Sequence, residues 1–220
     1  MKIVTYATHS EGLFEGLRKH DVIVLGWGTK WNGFMDKFNA IRKFLDTQPP
    51  DEIVVFVDGF DSKINGDIGR LEETFRSMNC RVLVSRDQSS LASFCPGLVH
   101  QYITKRVFGV CKGNHTANTG LYMGYAKELK QVIDSIKNGD DDQKEFNSAC
   151  SQFDFIKVDT ENIIFENCSS PDCVSNAMFV QYPGTLSWNR ILRSMQEYPR
   201  YFIPEILLLI AIIIWLQTEW

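Results

Sequence analysis

The chain has 220 residues, a net charge of −4, 44% hydrophobic residues and 23% charged residues. These values suit one globular domain with a full core, and they exclude disordered and fibrous chains. Acidic residues outnumber basic ones and no long basic block occurs, which argues against nucleic acid as a partner.

Apolar runs alternate with amphipathic stretches through the first half of the chain, a pattern typical of a parallel sheet with helical crossovers. Pro49 and Pro50 end the helix that precedes the third strand. The predicted strands are Lys2–Ala7, Val22–Gly26, Ile53–Val57 and Arg81–Ser85, and the predicted helices are Ser10–Lys19, Phe34–Leu45 and Ile68–Met78.

The second half is less regular. We predict a strand over Leu121–Ala126, a helix over Lys127–Ile136, and short strands over Phe155–Val158 and Ile163–Phe165. The predicted fold class is α/β, with a mixed Rossmann-type sheet flanked by helices. Residues 1–200 would form the domain, and residues 201–220 a C-terminal hydrophobic helix.

The C-terminal segment is strongly apolar, with an unbroken run over Ile206–Leu216. Counted with its flanks it approaches the length of a membrane span, and Trp215 and Trp220 are candidate interface anchors. We predict a membrane anchor here, and the alternative is a buried core or oligomer helix. Arginines upstream of the segment would keep the domain on the cytoplasmic side.

The N-terminus reads as a first strand rather than a secretory signal, so the domain is expected to be cytoplasmic and membrane-associated through its C-terminus. Six cysteines occur without a close Cys-x-x-Cys pair. We therefore predict that they are mostly free thiols.

Two carboxylates, Asp58 and Asp61, stand where the buried run Ile53–Val57 breaks into a loop. In open α/β sheets, ligands bind beyond the carboxyl ends of strands. A hard divalent cation held by one or two carboxylates commonly bridges to the oxygens of a diphosphate. The pattern therefore predicts a metal and phosphate site, although an isolated pair of aspartates can also serve turns and helix caps.

Three further segments could belong to the same site. The stretch Asn118–Tyr125 places small and amide residues before an apolar strand, where glycine allows close backbone approach to a ligand. Asp140–Gln143 holds three consecutive carboxylates, more than a helix cap requires. The loop Trp27–Gly33 carries two indoles suited to stacking on a base or sugar.

In this order, the segments resemble the glycosyltransferase domain of the procollagen lysyl hydroxylase and glucosyltransferase family, over about Lys2–Gly184. The hydroxylase half of those enzymes has no counterpart here, so the chain resembles a stand-alone transferase module. The matching stretches are Trp31–Gly33 with Lys37, Val57–Asp61, Ser93–Pro96, Asn118–Ala126, Asp140–Gln143, and Val158–Asp159 leading to Ile164–Asn167.

The resemblance implies a GT-A-like fold, Mn²⁺ as cofactor, and UDP-glucose or UDP-galactose as donor. The acceptor would be a hydroxyl group, such as hydroxylysine or galactosyl-hydroxylysine of a collagen-like protein, or another glycan. Nucleic acid is not an expected partner.

The resemblance also implies roles for individual residues. The family's tyrosine between the metal aspartates is Phe60 here, which keeps an aromatic ring for stacking. The family's late metal-binding histidine falls at Gln181, whose amide oxygen suits a hard cation but brings no charge; His115 is the nearest candidate substitute. The implied metal ligands are Asp58, Asp61 and Gln181; the donor-binding residues are Trp31, Lys37, Phe60, Asn118 and Gly120; the catalytic residues are Asp141 and Asp142.

Other functions are less well supported. A phosphohydrolase with an aspartate nucleophile requires a second aspartate two positions later, where this chain has Phe60. A nuclease is disfavoured because the net negative charge of the chain would repel a phosphate backbone. The stronger alternative is a catalytically weak, membrane-anchored protein that binds nucleotide sugar or is structural. The glutamine at position 181 is the main argument for it.

Overall fold

A computed structural model describes residues 1–91, 94–136, 139, 141–170 and 172–218. Ser93, Asp140 and Trp220, which the sequence singles out, lie outside these residues. The strands are β1 (Lys2–Tyr6), β2 (Val22–Leu25), β3 (Ile53–Val57), β4 (Ser62–Ile64), β5 (Val82–Arg86), β6 (Ala117–Tyr125), β7 (Ile156–Asp159), β8 (Phe165–Asn167) and β9 (Phe179–Gln181). The helices are α1 (Phe14–Leu17), α2 (Met35–Leu45), α3 (Leu71–Ser77), α4 (Gly97–Phe108), α5 (Ala126–Ser135), α6 (Asp142–Cys150), α7 (Trp188–Glu197) and α8 (Ile203–Thr218).

The main sheet has the strand order β2-β1-β3-β6-β5-β7. Strand β6 runs antiparallel to both of its neighbours, and the other pairs in this sheet are parallel. The predicted α/β class with a mixed sheet is therefore confirmed. Because β6 is reversed, its first residues lie at the same edge of the sheet as the carboxyl ends of β1, β3 and β5.

Strand β3 is buried along its whole length because both faces of the sheet are covered. Its side chains alternate between two cores, as the period of a strand requires. Val54 and Phe56 pack with Phe38 of α2, whereas Val55 packs with Phe75 of α3. This sandwich of helices around apolar strands holds the carboxyl edge of the sheet in place.

A second sheet of order β4-β9-β8 follows the loop after β3 and packs against β5 and β6 of the main sheet. Ser62 pairs with Gln181 in the antiparallel β4-β9 ladder, and the N–H of Tyr182 donates to the carbonyl of Asp61 at 2.8 Å. This pairing brings Gln181 beside the loop that follows β3. Each strand of this sheet has three residues, too few for a periodic pattern, and the sequence did not indicate β4 or β9.

Some predicted boundaries are wrong, and local hydrogen bonds explain two of them. The helix predicted over Ser10–Lys19 is limited to α1, because the residues before α1 contact the loop that follows β3. The Leu13 N–H donates to the Phe60 carbonyl in that loop at 2.8 Å. The strand predicted over Ile163–Phe165 begins only at Phe165, because the Asp159 carboxylate accepts the N–H groups of these three residues.

The predicted strand Leu121–Ala126 is also displaced. Strand β6 begins earlier, at Ala117, and ends at Tyr125, while Ala126 opens helix α5. The polar residues before Leu121 obscure the strand in the sequence, yet all of β6 is buried.

The C-terminal segment forms helix α8, whose described side chains are largely exposed; Leu208 is 62% exposed. Sixteen helical residues extend about 24 Å, against the roughly 30 Å of bilayer hydrocarbon. Among the described residues, no helix has both the length and the apolar character needed to cross a membrane. The predicted transmembrane helix is therefore not supported, and membrane association through this segment stays a prediction.

The prediction that the cysteines are mostly free thiols is wrong. Cys111 pairs with Cys150, and Cys168 pairs with Cys173, while Cys80 and Cys95 are free. The first pair forms because the segment before β6 packs against the end of α6, a contact that cysteine spacing does not reveal. Disulfides persist mainly in oxidising compartments. The cytoplasmic location stays a prediction.

We expect two thiols per chain to be alkylated in denaturant without reductant, and six after reduction, because four cysteines are paired. Mass spectrometry of the alkylated protein measures this directly. Replacing both Cys111 and Cys150 by serine should lower the free energy of unfolding by about 2–4 kcal/mol. Alkylation of all cysteines without reductant would contradict the pairing.

Candidate active site

A cavity of about 950 Å³ opens at the carboxyl edge of the main sheet. Ligand sites commonly occupy several hundred cubic ångströms at this edge of an α/β sheet. Residues that follow β1, β3 and β5 line it together with the start of β6, and α2, α4, α6 and α7 close its sides. Most residues predicted for the site border this cavity: Trp31, Lys37, Asp58, Phe60, Asn118, Gly120, Asp141, Asp142 and Gln181.

The acid pair Asp58 and Asp61 sits in the loop after β3, as predicted. The backbone N–H of Asp58 donates to the Gly120 carbonyl at 2.8 Å, which ties this loop to β6. The Asp61 carboxylate accepts two hydrogen bonds from Nε2 of Gln181, at 3.0 and 3.1 Å. Burial, followed by the charge of Asp58, raises the pKa of Asp61 to about 6, while Gln181 opposes this shift.

Gln181 is buried, with 3% of its surface exposed, and its Oε1 has no hydrogen-bond partner among the described residues. Its amide packs directly on the backbone of β6: a Cβ added at Gly120 would lie 2.1 Å from Oε1. Gly120 therefore makes the space that Gln181 occupies. Only a residue without a side chain permits this contact.

The acid pair and the unpaired amide oxygen of Gln181 are oxygen donors of the kind that Mg²⁺ and Mn²⁺ accept. The described part of the chain holds no group of three or more histidines, cysteines, aspartates or glutamates that could bind a metal ion. Two carboxylates and one amide are ligand types that suit a divalent cation, but as the side chains lie, Gln181 directs its Nε2 rather than its Oε1 at Asp61. His115 lies elsewhere, in the turn before β6 near Arg86 and Lys105, and is not among the residues that line the cavity.

Lys37 of α2 places a buried ammonium group between two acids. Its Nζ lies 2.5 Å from Oδ2 of Asp142 and 3.8 Å from Oδ2 of Asp58. Burial opposes the charge on Lys37, but the carboxylates of Asp142 and Asp58 outweigh it and raise its pKa. The side chain is therefore a fixed cation at the centre of the site.

Asp141 and Asp142, at the start of α6, have different partners. Asp141 caps α6, accepting the Lys144 N–H at 3.0 Å, and its other oxygen accepts the Tyr198 hydroxyl at 2.7 Å. Asp142 accepts the Thr119 hydroxyl at 2.5 Å and pairs with Lys37. Burial, and then the charge of Asp142, raise the pKa of Asp141.

Aromatic and amide residues form the wall near the acid pair. Trp31 is 44% exposed and packs at a tilt on Tyr6, with ring centroids 5.8 Å apart. Asn118 accepts the Gly120 N–H through its side chain at 2.8 Å, which shapes the start of β6. Trp27, the second indole of the predicted loop, stacks instead on Phe14 and is absent from the cavity lining.

The sequence did not indicate the wall contributed by α4 and α7, which includes His100, Arg190 and Tyr198. A signal for α7 exists: Ser187 caps its N-terminus, and Ile191 lies on its buried face. Capping serine before a short amphipathic stretch is a recognisable helix start. The direction in which this helix presents Arg190 depends on how it docks.

The chain matches the family model described as the PLOD GT domain over residues 3–177. It is similar to the multifunctional procollagen lysine hydroxylase and glycosyltransferase LH3 of Homo sapiens and of Pongo abelii, each 29% identical over 163 residues. The corresponding protein of Caenorhabditis elegans is 28% identical over 163 residues. These matches cover 64% of this chain and 20%, 20% and 21% of the relatives, so the chain spans about a fifth of their length.

Solved structures of two sugar transferases are also similar. Galactosyltransferase LgtC, in complex with donor and acceptor sugar analogs, has a TM-score of 0.48 at 10% identity, covering 91% of this chain and 100% of that chain. The apo form of mouse xyloside xylosyltransferase 1 has a TM-score of 0.44 at 10% identity, covering 68% of this chain and 63% of that chain.

We expect Gly120→Ala to lower the free energy of unfolding by about 1–3 kcal/mol, because the new methyl group would overlap the Gln181 amide. Urea unfolding measures the change. Gly16→Ala is the matched control, since a Cβ there meets nothing within 4 Å, and it should be neutral or slightly stabilising. Equal stability of the two variants would show that Gln181 does not occupy this space.

We expect Lys37→Met to lower the free energy of unfolding by about 3 kcal/mol or more, because it leaves Asp142 buried without its cation. Lys130→Met is the control: it removes an exposed lysine that pairs with Asp46 and Asp134, and exposed pairs contribute little. Thermal or urea unfolding compares them. Similar losses in both variants would refute the buried ion pair.

Proposed function

Because this chain belongs to the PLOD GT domain family, we propose that it is a metal-dependent glycosyltransferase that moves glucose or galactose from a UDP-sugar to a hydroxyl acceptor. The acceptor class is hydroxylysine or galactosyl-hydroxylysine of a collagen-like protein, or another glycan. The observation that carries the proposal is the cavity lined by Asp58, Lys37 and Gln181, with Asp61 bound to Gln181 just behind its wall.

Asp58 and Asp61 would hold the divalent cation, with Mn²⁺ as the proposed ion, and Gln181 would contribute its amide oxygen once the amide turns its Nε2 away from Asp61. When bound, the cation would offset the negative charge that builds on the departing UDP. Gln181 stands where the family has a metal-binding histidine and offers only a neutral oxygen, so cation binding would depend mainly on the two carboxylates. Burial and then the charge of Asp58 raise the pKa of Asp61, and a cation bound between the two acids would offset the second of these effects.

The wall residues would bind and orient the substrates. Trp31, which is exposed, and Phe60, which is partly buried, offer aromatic rings for stacking on uracil or sugar. Asn118 and Gly120 line the cavity at the start of β6, where the Cβ side of Gly120 is filled by Gln181. Asp142 is held between Thr119 and Lys37, so its charge is fixed in direction beside the acid pair.

Asp141 and Asp142 would border the reacting sugar and the acceptor. One role is to orient the acceptor hydroxyl, and the other is to stabilise positive charge on the sugar at the transition state. Asp141 has its two oxygens engaged by the Lys144 N–H and the Tyr198 hydroxyl, which favours an electrostatic role over proton transfer for that residue.

A catalytically weak nucleotide-sugar binder is the second candidate. It is favoured by one observation, the hydrogen bonds from Nε2 of Gln181 to the Asp61 carboxylate. These bonds place an amide donor, rather than a ligand atom, against one of the two carboxylates. A binder would retain affinity for the nucleotide without turnover.

We expect the purified chain with Mn²⁺ and UDP-glucose or UDP-galactose to release UDP, because donor hydrolysis by water commonly accompanies transfer. EDTA, or the double replacement Asp58→Asn with Asp61→Asn, should abolish the release by removing the cation or its charged ligands. Asp172→Asn is the control and should leave the rate unchanged, because Asp172 is exposed and is not among the residues that line the cavity.

The outcomes separate the two candidates. UDP binding by calorimetry without release of UDP from either donor would favour the binder. Release that persists in the double variant would exclude Asp58 and Asp61 as the metal ligands. If the chain neither binds UDP nor releases UDP from either donor, both candidates are refuted.

A further inference from the structure

Arg190 lines the cavity, and its guanidinium has no ion-pair partner among the described residues. It lies on the first turn of α7, where its backbone N–H donates to the Ser187 hydroxyl. Its Nη1 donates to the Gly184 carbonyl at 2.8 Å. Among the described residues, no carboxylate oxygen lies within 4.0 Å of its guanidinium, the limit for a salt bridge.

The other cationic side chains of the cavity are already paired. Lys37 pairs with Asp142, and Arg193 pairs with Glu197 at 2.8 Å. Burial lowers the pKa of Arg190, while Asp87 and Asp61 oppose this shift from a greater distance than an ion pair. Arginine nevertheless stays protonated in proteins, so a half-buried guanidinium here retains a charge that an anionic ligand can satisfy.

A second group in the same cavity lacks a partner. His100 of α4 is only 4% exposed, and its Nε2 has no hydrogen-bond partner among the described residues. Burial, and then the charge of Arg190, lower the pKa of His100, so its neutral form is favoured. A neutral imidazole can still donate one hydrogen bond from Nε2.

The N-terminus of α7 adds a third source of positive potential. The first N–H groups of a helix have no intrahelical partner, and the macrodipole favours an anion there. Helix α7 has ten residues, and Ser187, Asn189 and Arg190 from its start all line the cavity. The N-terminus of α7 therefore adds to the positive potential that Arg190 provides in this part of the cavity.

A short segment of the chain, from Gln181 to Gly184, links Arg190 to the acid pair Asp58 and Asp61. Gly184, whose carbonyl accepts from both Arg190 and Gln88, follows Gln181 by three residues, and Gln181 contacts Asp61. A ligand that reaches a cation held at Asp58 and Asp61 and also reaches Arg190 must carry more than one anionic group. A diphosphate has this property, since its two phosphates can contact a metal ion on one side and a guanidinium on the other.

We propose that Arg190, supported by His100 and the N-terminus of α7, binds the diphosphate of the nucleotide sugar. This inference rests on the proposed function. Arg190 would hold the diphosphate in the ground state and share the charge of the departing UDP as the glycosidic bond breaks.

The test compares Arg190→Gln with Arg193→Gln, which removes the same charge from the same helix where it is paired and 77% exposed. Affinities for UDP and for uridine, with Mn²⁺ and with EDTA, are measured by calorimetry or ligand-observed NMR. We expect Arg190→Gln to weaken UDP binding by about tenfold to a hundredfold and to leave uridine binding unchanged. Arg193→Gln should change UDP binding by less than about threefold, and Arg190→Lys should restore part of the loss.

Equal UDP affinity of the two glutamine variants would overturn the inference while leaving the proposed function intact. A parallel loss of UDP and uridine affinity in Arg190→Gln would also overturn it, since that result indicates a structural role through Gly184. Failure of the unmodified chain to bind UDP would refute the proposed function together with the inference.

Discussion

The reversal of strand β6 between β3 and β5 is the constraint on which the site depends. Because β6 runs against its neighbours, its polar first residues lie beside the carboxyl end of β3 instead of at the far edge of the sheet. The Asp58 N–H bonds to the Gly120 carbonyl across this junction. A parallel strand in that position would remove both Asn118 and Gly120 from the cavity.

The missing side chain of Gly120 links this sheet to the smaller one. Gln181 fills the space that a Cβ would take and reaches Asp61 from β9. Asp61 itself precedes β4, which pairs with β9. Two sheets thus converge on one carboxylate, and the small sheet positions its residue through main-chain hydrogen bonds, which are less yielding than a side-chain contact alone.

Buried charges define the chemistry of the cavity. Lys37 is held by Asp142 and Asp58, and Asp141 is held by the Tyr198 hydroxyl and the α6 backbone. Such pairs add little net stability compared with apolar packing, but breaking one partner leaves a costly unpaired charge. Their effect here is to fix the direction of each charge around the space proposed for the donor.

The sequence by itself determined the α/β class, the buried strand Ile53–Val57 and the carboxylates that follow it, because period and composition are local properties. It also indicated Lys37, Gly120 and Asp142 through resemblance. The resemblance also placed Gln181 beside Asp61, but only the tertiary structure decided that Nε2 of Gln181 faces that carboxylate, that Cys111 meets Cys150, and that Arg190 and His100 line the same cavity. These contacts join residues far apart in the chain, and they arise from how strands pair and helices dock, which no local pattern encodes.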